Sequence, residues 1–174
     1  MAVPNSKWLN TFCKTSQIDE STLFLKFKKK VPLFFEHRDL LVKFLQKEIY
    51  SDKEIELVLL SQKEDSLQNY YYKFTLEYKK LPLLFEEVIV QLSKEGRLKL
   101  ITGSFIANIN VSEVPTFNMV EPFALGWYRK EGILYLVYIQ KSAHQKSYID
   151  AHSGELLYKE SFYKSKKEQI TLIN

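Results

Sequence analysis

The sequence predicts an α+β protein with two small antiparallel sheet units, the first of which is covered by one amphipathic helix. Three observations carry this prediction. Apolar residues recur at helical spacing near residues 40–49, apolar and polar residues alternate between Tyr70 and Tyr78, and short turns separate further alternating segments. Period-two alternation with one polar face indicates antiparallel strands that are covered on one side.

The first unit is expected over residues 23–109, after an N-terminal extension at 1–22 in which Trp8 and Phe12 dock. Alternating apolar positions predict a strand at 23–27. A helix over 37–49 follows, because apolar side chains fall on one of its faces: Leu40, Leu41, Phe44, Leu45 and Ile49.

Four more strands are predicted in the first unit, at 55–60, 70–78, 88–92 and from Leu98 onward. The segment Lys94–Arg97 reads as a short hairpin turn, with Gly96 free to take a positive φ. A linker at 110–122 is marked by two prolines. The second unit, at 123–174, is expected to contain hairpins around residues 129–132 and 152–154.

Composition limits the class of protein without identifying it. Hydrophobic residues make up 45% of the 174 residues, which suits a packed core and excludes a disordered chain. The net charge of +4, with both signs mixed along the chain, predicts no nucleic-acid partner. No apolar run is long enough to cross a membrane, and the start lacks a signal-peptide pattern. A cytoplasmic location is expected if Met1 is the native start, and a secreted or periplasmic one if the chain is a processed piece.

No catalytic, metal or cofactor motif is found in the sequence. A His-Glu-x-x-His pair, a Gly-x-Ser-x-Gly elbow, a P-loop and a dinucleotide fingerprint are all absent. His37, His144 and His152 are scattered and are read as surface or turn residues, and Cys13 stands alone. The adjacent pair Glu86-Glu87 points to opposite faces of a strand, so joint acid–base catalysis is not expected.

Three stretches occur in a characteristic order. The first contains Tyr72-Lys-Phe-Thr-Leu-Glu-Tyr78, Leu81-Pro-Leu83 and Val88-Ile-Val90. The second runs from Leu92-Ser-Lys-Glu-Gly-Arg97 into Ile101-Thr-Gly-Ser-Phe-Ile-Ala-Asn108, and the third is Ile149-Asp-Ala-His-Ser-Gly-Glu-Leu-Leu157. Together, over about residues 23–160, they resemble the propeptide of thermolysin-like metalloproteases, which joins a fungalysin/thermolysin-type propeptide domain to a PepSY-like domain.

The resemblance implies a non-catalytic module that binds and inhibits, or chaperones, a thermolysin-type zinc protease, with no cofactor. The expected contact surfaces are the solvent face of strands 70–78 and 86–92 and the tail after Tyr158, because an exposed strand face gives affinity without chemistry. The residues assigned to partner binding are Tyr71, Lys73, Thr75, Leu81, Pro82, Phe85, Glu87, Tyr158 and Phe162.

The chain departs from the family at several positions. Phe85 and Glu86 stand where the family has two small residues, and Lys80 occupies a turn position usually held by Gly or Asn. The helix expected between the two domains is shortened to about Glu113–Leu125. Two alternatives follow. The first is a stand-alone interaction or envelope- or secretion-associated domain of the same fold with no protease partner. The second is an enzyme of unrecognised type, which requires a deep pocket with convergent polar groups.

Overall fold

A computed structural model describes residues 6–19, 21–50, 54–106, 111–119 and 123–162. The chain divides into two compact units, Met1–Asn110 and Val111–Asn174, which are described separately. Strands dominate both units and helices are few, so the α+β class is broadly confirmed. In the described residues, no helix has the length and apolar character needed to cross a membrane.

Unit 1 is an antiparallel sheet with two helices. The helices are α1 (Ser6–Phe12) and α2 (Arg38–Glu48). The strands are β1 (Cys13–Ile18), β2 (Thr22–Phe27), β3 (Ile55–Glu64), β4 (Tyr70–Tyr78), β5 (Leu81–Leu92) and β6 (Leu98–Ser104). Within this unit the strand order is β1-β2-β6-β5-β4-β3.

The core of unit 1 lies against one face of this sheet. Strand residues on that face are fully buried, among them Leu25, Phe74 and Val90. Leu41 and Leu45 of α2 are also fully buried, and each contributes about 2 kcal/mol of apolar burial. Trp8 of α1 contacts the rings of Phe27 and Phe44, so its predicted docking is confirmed.

The sequence predicted only an N-terminal extension at 1–22, whereas the structure has a helix and a strand within it. Residues 6–12 form α1, and β1 pairs with β2 through the register Ser16↔Leu25. The reason is that β1 is an edge strand with one buried residue, Cys13, and therefore shows no alternation in the sequence.

Two local features shape β5. The β4–β5 hairpin has a two-residue loop in which Lys79 and Lys80 have φ values of 50° and 63°, the sign that a type I′ turn requires at both positions. Further along, the pairing with β4 shifts between Leu76↔Leu83 and Thr75↔Glu87. The extra residues form a bulge that includes Phe85, with a φ of 64°.

Unit 2 contains the antiparallel meander β7 (Ala124–Lys130), β8 (Ile133–Lys141), β9 (Gln145–Asp150) and β10 (Leu156–Ser161). Trp127, Leu136 and Val137 are fully buried in it. The turn between β9 and β10 is held by Asp150, whose Oδ1 accepts hydrogen bonds from the backbone N–H groups of His152 and Ser153.

The segment 111–119 packs on the β9–β10 turn instead of forming a helix. The backbone N–H groups of Thr116 and Phe117 donate to the carbonyl oxygen of Ala151, and the Phe117 ring covers Gly154. The prediction of a helix over Glu113–Leu125 is therefore wrong. Residues 113–119 are not helical, and residues 124–125 belong to β7. Pro115 supplies no N–H to a helix, and the next two N–H groups bond to Ala151.

Candidate protein interface

The outer face of β4 and β5 carries four of the residues assigned to partner binding. Tyr71, Lys73 and Thr75 alternate with the buried Phe74 and Leu76, so all three project from the side of the sheet opposite the core. Glu87 pairs with Thr75 in the register of the two strands and lies on the same side. We name these four residues the β4–β5 face.

One ion pair crosses the β4–β5 face. Lys73 Nζ lies 2.7 Å from Glu87 Oε2, and the two side chains are 35% and 40% exposed. Solvent screens a pair this accessible, so it contributes at most about 1 kcal/mol to stability. Its main effect is to hold the Lys73 and Glu87 side chains in a fixed orientation on the surface of the sheet.

Tyr71 lies at the centre of a hydrogen-bond network at the end of the β4–β5 face. Its hydroxyl donates to Asp65 Oδ2 at 3.0 Å and accepts from Gln91 Nε2 at 2.8 Å. Asp65 Oδ1 also accepts from the backbone N–H groups of Leu67 and Asn69, which closes the β3–β4 turn. The ring of Tyr71 is therefore anchored by both neighbouring elements.

These hydrogen bonds shift the pKa values of both partners in opposite directions. Donors from Asn69, followed by those of Tyr71 and Leu67, lower the pKa of Asp65 from 3.8 to about 2. The hydrogen bond to the Asp65 carboxylate raises the pKa of the Tyr71 hydroxyl above 10. The charged carboxylate and the neutral phenol are thus the paired forms at neutral pH.

Three more assigned residues lie in the first half of β5. Leu81 and Pro82 follow the Lys79-Lys80 loop and pair with Tyr78 and Glu77. Phe85 lies in the bulge, and 58% of its surface is exposed, an unusual fraction for a large aromatic side chain. The bulge separates these residues from Glu87 along the strand.

The remaining two assigned residues, Tyr158 and Phe162, belong to unit 2. Tyr158 stacks on Tyr128 and Tyr148, with ring centroids 5.8 and 5.7 Å apart, so it has a packing role as well as 42% exposure. Phe162 follows β10, and its N–H donates to the carbonyl oxygen of His144. The tail beyond residue 162 lies outside the described residues.

Unit 1 also contains a cavity of about 580 Å³ that no sequence pattern predicted. It is lined by five cationic side chains and one carboxylate, a set that contains no nucleophile–base pair: Lys26, Lys28, Lys29, Arg97, Lys99 and Glu95. Among the described residues, no group of three or more His, Cys, Asp or Glu side chains is arranged to hold a metal ion.

The three histidines belong to different elements of the two units. His37 is the N-cap residue of α2 without a side-chain hydrogen bond to that helix. The ring of His152 lies 3.3 Å from Thr116 Oγ1 and 3.2 Å from the carbonyl oxygen of Ser112, within unit 2. His144 lies in the β8–β9 turn. Within unit 2, His144 and His152 lie in the turns at opposite ends of β9.

Comparison with known proteins identifies a motif in unit 1. Residues 55–105, from the start of β3 to just beyond β6, match the Fungalysin/Thermolysin Propeptide Motif. The resemblance to thermolysin-type propeptides is thus confirmed for this segment, which contains the whole β4–β5 face. No curated protein matches the chain.

Comparison with solved structures matches the chain to the YpeB C-terminal domain of Bacillus megaterium. The two chains share 10% sequence identity with a TM-score of 0.39, and the match covers 81% of this chain and 72% of the other. The assignment of residues 123–174 to a PepSY-like domain stays a prediction.

Proposed function

We propose that the chain is a non-catalytic, propeptide-like module that binds a thermolysin-type metalloprotease and inhibits it or assists its folding. The observation that carries the proposal is the match of residues 55–105 to the propeptide motif. That segment presents Tyr71, Lys73, Thr75 and Glu87 together on the β4–β5 face.

The surface chemistry of this region suits a protein partner. An anchored tyrosine and an exposed phenylalanine are residue types that are enriched at interfaces, and a surface ion pair suits the polar rim around them. Tyr71 is held by Asp65 and Gln91, so little side-chain entropy is lost when it is buried. At the edge of the unit 1 sheet, the ten-residue strand β3 also exposes Val58 and Leu60. A partner strand could add there through main-chain hydrogen bonds.

The test mixes the purified chain with a thermolysin-type zinc protease. Three measurements are made: the rate of peptide hydrolysis, the yield of active protease after dilution from denaturant, and complex formation with an inactive protease variant that cannot cleave the chain. We expect a saturable effect on the hydrolysis rate or on the refolding yield, together with a complex. No effect in all three measurements would refute the proposal.

Two matched variants locate the contact. Phe85→Glu places a charge in the bulge and is expected to weaken the complex by roughly fivefold or more, the effect of losing about 1 kcal/mol at an interface. The control, Leu67→Glu, makes a similar change in the β3–β4 turn, at a side chain that is 76% exposed. We expect it to leave the affinity unchanged. An equal loss of affinity in both variants would show that the bulge is not part of the contact.

The alternative function is that of a stand-alone protein-interaction domain of the same fold, without a protease partner. The bulge favours it, because Phe85 and Glu86 occupy positions where the family has small residues, and Phe85 has a φ of 64°. On this alternative the folded chain leaves every thermolysin-type protease unaffected. It would instead capture another protein, and Phe85→Glu would abolish that capture.

A further inference from the structure

A basic trough lies at one end of the unit 1 sheet, where the end of β2 meets the β5–β6 hairpin. We define it as the cavity of about 580 Å³ whose charged lining consists of Lys26, Lys28, Lys29, Arg97, Lys99 and Glu95. Its residues come from two segments, 24–29 and 91–100, which the pairing of β2 with β6 brings together. It is separate from Phe85 and from the ion pair of the β4–β5 face.

The trough concentrates the positive charge of the molecule. Five cations and one carboxylate give its lining a formal charge of +4, which equals the net charge of the whole chain. Among the described residues, none of the five cations lies within ion-pair distance of a carboxylate. Glu95 is the one carboxylate in the lining, and it accepts a hydrogen bond from Ser93 Oγ at 2.6 Å. Lys28 Nζ donates to the carbonyl oxygens of Asn10 and Thr11, and Lys99 Nζ donates to Asn69 Oδ1 at 3.0 Å, so these two cations bond to neutral oxygens.

Arg97 is fixed in the trough and has an unused donor. Its Nη1 donates to the carbonyl oxygen of Lys29 at 2.5 Å, and its guanidinium lies over the Phe34 ring at 5.1 Å. Its Nε is buried and has no hydrogen-bond acceptor among the described residues. A guanidinium that is held in one orientation loses little entropy when it pairs with a carboxylate, and such charge-assisted pairs are strong.

The β5–β6 turn that carries Arg97 is itself held in place. The N–H of Phe35 donates to the carbonyl oxygen of Gly96, and the N–H of Leu98 donates to that of Leu33, both at 2.9 Å. Gly96 has a φ of 79°, and a Cβ there would lie 2.7 Å from the Phe35 carbonyl oxygen. The positive site is therefore preorganised, which reduces the entropy lost when a ligand binds.

Besides the charged residues and the polar Gln91 and Ser93, the lining contains four apolar residues. Phe24 and Leu100 are half-buried, whereas Phe27 and Leu98 are 6% and 1% exposed. The trough thus offers a charged rim together with a partly apolar floor. A ligand that satisfies both parts carries carboxylates and apolar groups on one short molecule.

We propose that the basic trough binds a short acidic segment of polypeptide in which carboxylate and apolar side chains are interspersed. Its volume is within the range of small-ligand pockets, roughly 300–1,000 Å³, which admits a few residues of extended chain. A single-stranded nucleic acid is disfavoured because it needs exposed rings for stacking, whereas the two rings of the lining are covered: Phe27 is buried and Phe24 is half-buried. The proposal does not depend on a protease partner.

The test uses a short fluorescent peptide of alternating glutamate and leucine, and fluorescence anisotropy with the full chain. A peptide with glutamine in place of glutamate and an oligothymidylate of equal charge are the comparison probes. We expect the acidic peptide to bind more tightly than either one by about tenfold or more. Raising NaCl from about 0.05 to about 0.3 M should weaken its binding, since salt screens exposed charges.

Two charge-matched variants decide whether the trough is the site. Lys26→Glu with Lys29→Glu removes the formal charge of +4 from the lining, and both side chains are exposed. Lys30→Glu with Lys80→Glu changes the net charge of the chain equally at exposed positions outside the trough. We expect a loss of about tenfold or more in the first variant and less than about twofold in the second.

Three outcomes would overturn the proposal. One is equal binding of the acidic and glutamine peptides. Another is tighter binding of the oligothymidylate, which would make the trough a nucleic-acid site. The third is an equal loss in both variants, which would indicate attraction to the general charge of the molecule. Circular dichroism and the melting temperature verify that each variant is folded. If Lys26→Glu with Lys29→Glu does not fold, Lys26→Gln with Lys29→Gln is used in its place.

Discussion

Gly103 of β6 lies directly against the backbone of Glu87 in β5. A Cβ at position 103 would overlap the Glu87 carbonyl oxygen and lie 2.8 Å from the Cα of Val88. Gly103 also has a φ of 141°, a conformation that L side chains rarely adopt. This glycine therefore permits the close pairing of β5 with β6 just beyond the bulge, and it holds the end of the β4–β5 face that carries Glu87.

We expect Gly103→Ala to reduce the free energy of unfolding by about 2–5 kcal/mol, since the overlap with backbone atoms and the unfavourable φ add to each other. Urea denaturation followed by tryptophan fluorescence and circular dichroism measures the change. Thr102→Ala, at the preceding and half-buried position, serves as the control and should cost far less. A loss below about 1 kcal/mol in Gly103→Ala would show that β5 can move away without cost.

Lys80→Gly is expected to stabilise unit 1 by about 1 kcal/mol. Lys80 has a φ of 63° in the two-residue loop between β4 and β5, where an L side chain is strained and glycine is not. Lys79 is unsuitable for the test, because its Nζ lies over the Tyr78 ring and 4.0 Å from Glu54 Oε2, so a substitution would also remove these side-chain contacts.

The control for the turn is Lys80→Ala, which removes the charge and keeps the Cβ. We expect its midpoint in urea to match that of the unchanged chain, whereas Lys80→Gly shifts it upward. Equal shifts in the two variants would assign the gain to the lost charge instead of the backbone.

Period-two alternation was sufficient to predict β4 and its outer face. Because successive strand residues point to opposite sides, Tyr71, Lys73 and Thr75 had to share one face once Phe74 and Leu76 were assigned to the core. The positive φ of Gly96 in the β5–β6 turn, at 79°, is likewise confirmed, since glycine signals that conformation.

Features that depend on distant pairing or on atypical turn residues were not predictable. Lysines at 79 and 80 give no turn signal, and an apolar run from Leu81 to Phe85 does not reveal a bulge. The trough was missed because Arg97 and Lys29 are 68 positions apart and meet only after β2 pairs with β6. A run of three lysines such as 28–30 is also typical of a solvated strand end, so it gives no separate signal of a binding site.

Stability is expected to fall in acid through the titration of Asp65. Its folded-state pKa of about 2 is below the ordinary 3.8, because Asn69, Tyr71 and Leu67 donate to the carboxylate. The stabilisation that its charge provides is complete above pH 3.8 and is lost as pH falls through about 2. In Asp65→Asn, we expect a lower melting temperature at pH 7 and a smaller further decrease between about pH 4 and 2.

The control for acid titration is Glu64→Gln, which removes an exposed carboxylate from β3 at a position that pairs with the uncharged Tyr70. Its melting temperature should follow that of the unchanged chain across the same range of pH. If Asp65→Asn follows the unchanged chain as well, the carboxylate network around Tyr71 contributes nothing to the acid sensitivity.

Cys13 should react slowly with thiol reagents while β1 is paired. The side chain is 7% exposed, and burial raises its pKa from 9.0 to about 11, an increase that the charge of Lys28 only partly opposes. The thiolate is the reactive form, so a shift of this size lowers its population near pH 8 by about a hundredfold. Labelling by a disulfide reagent is compared between the native chain and the chain in concentrated guanidinium. Native labelling within about tenfold of the unfolded rate would mean that β1 opens readily from β2, because local opening restores both access and an ordinary thiol pKa.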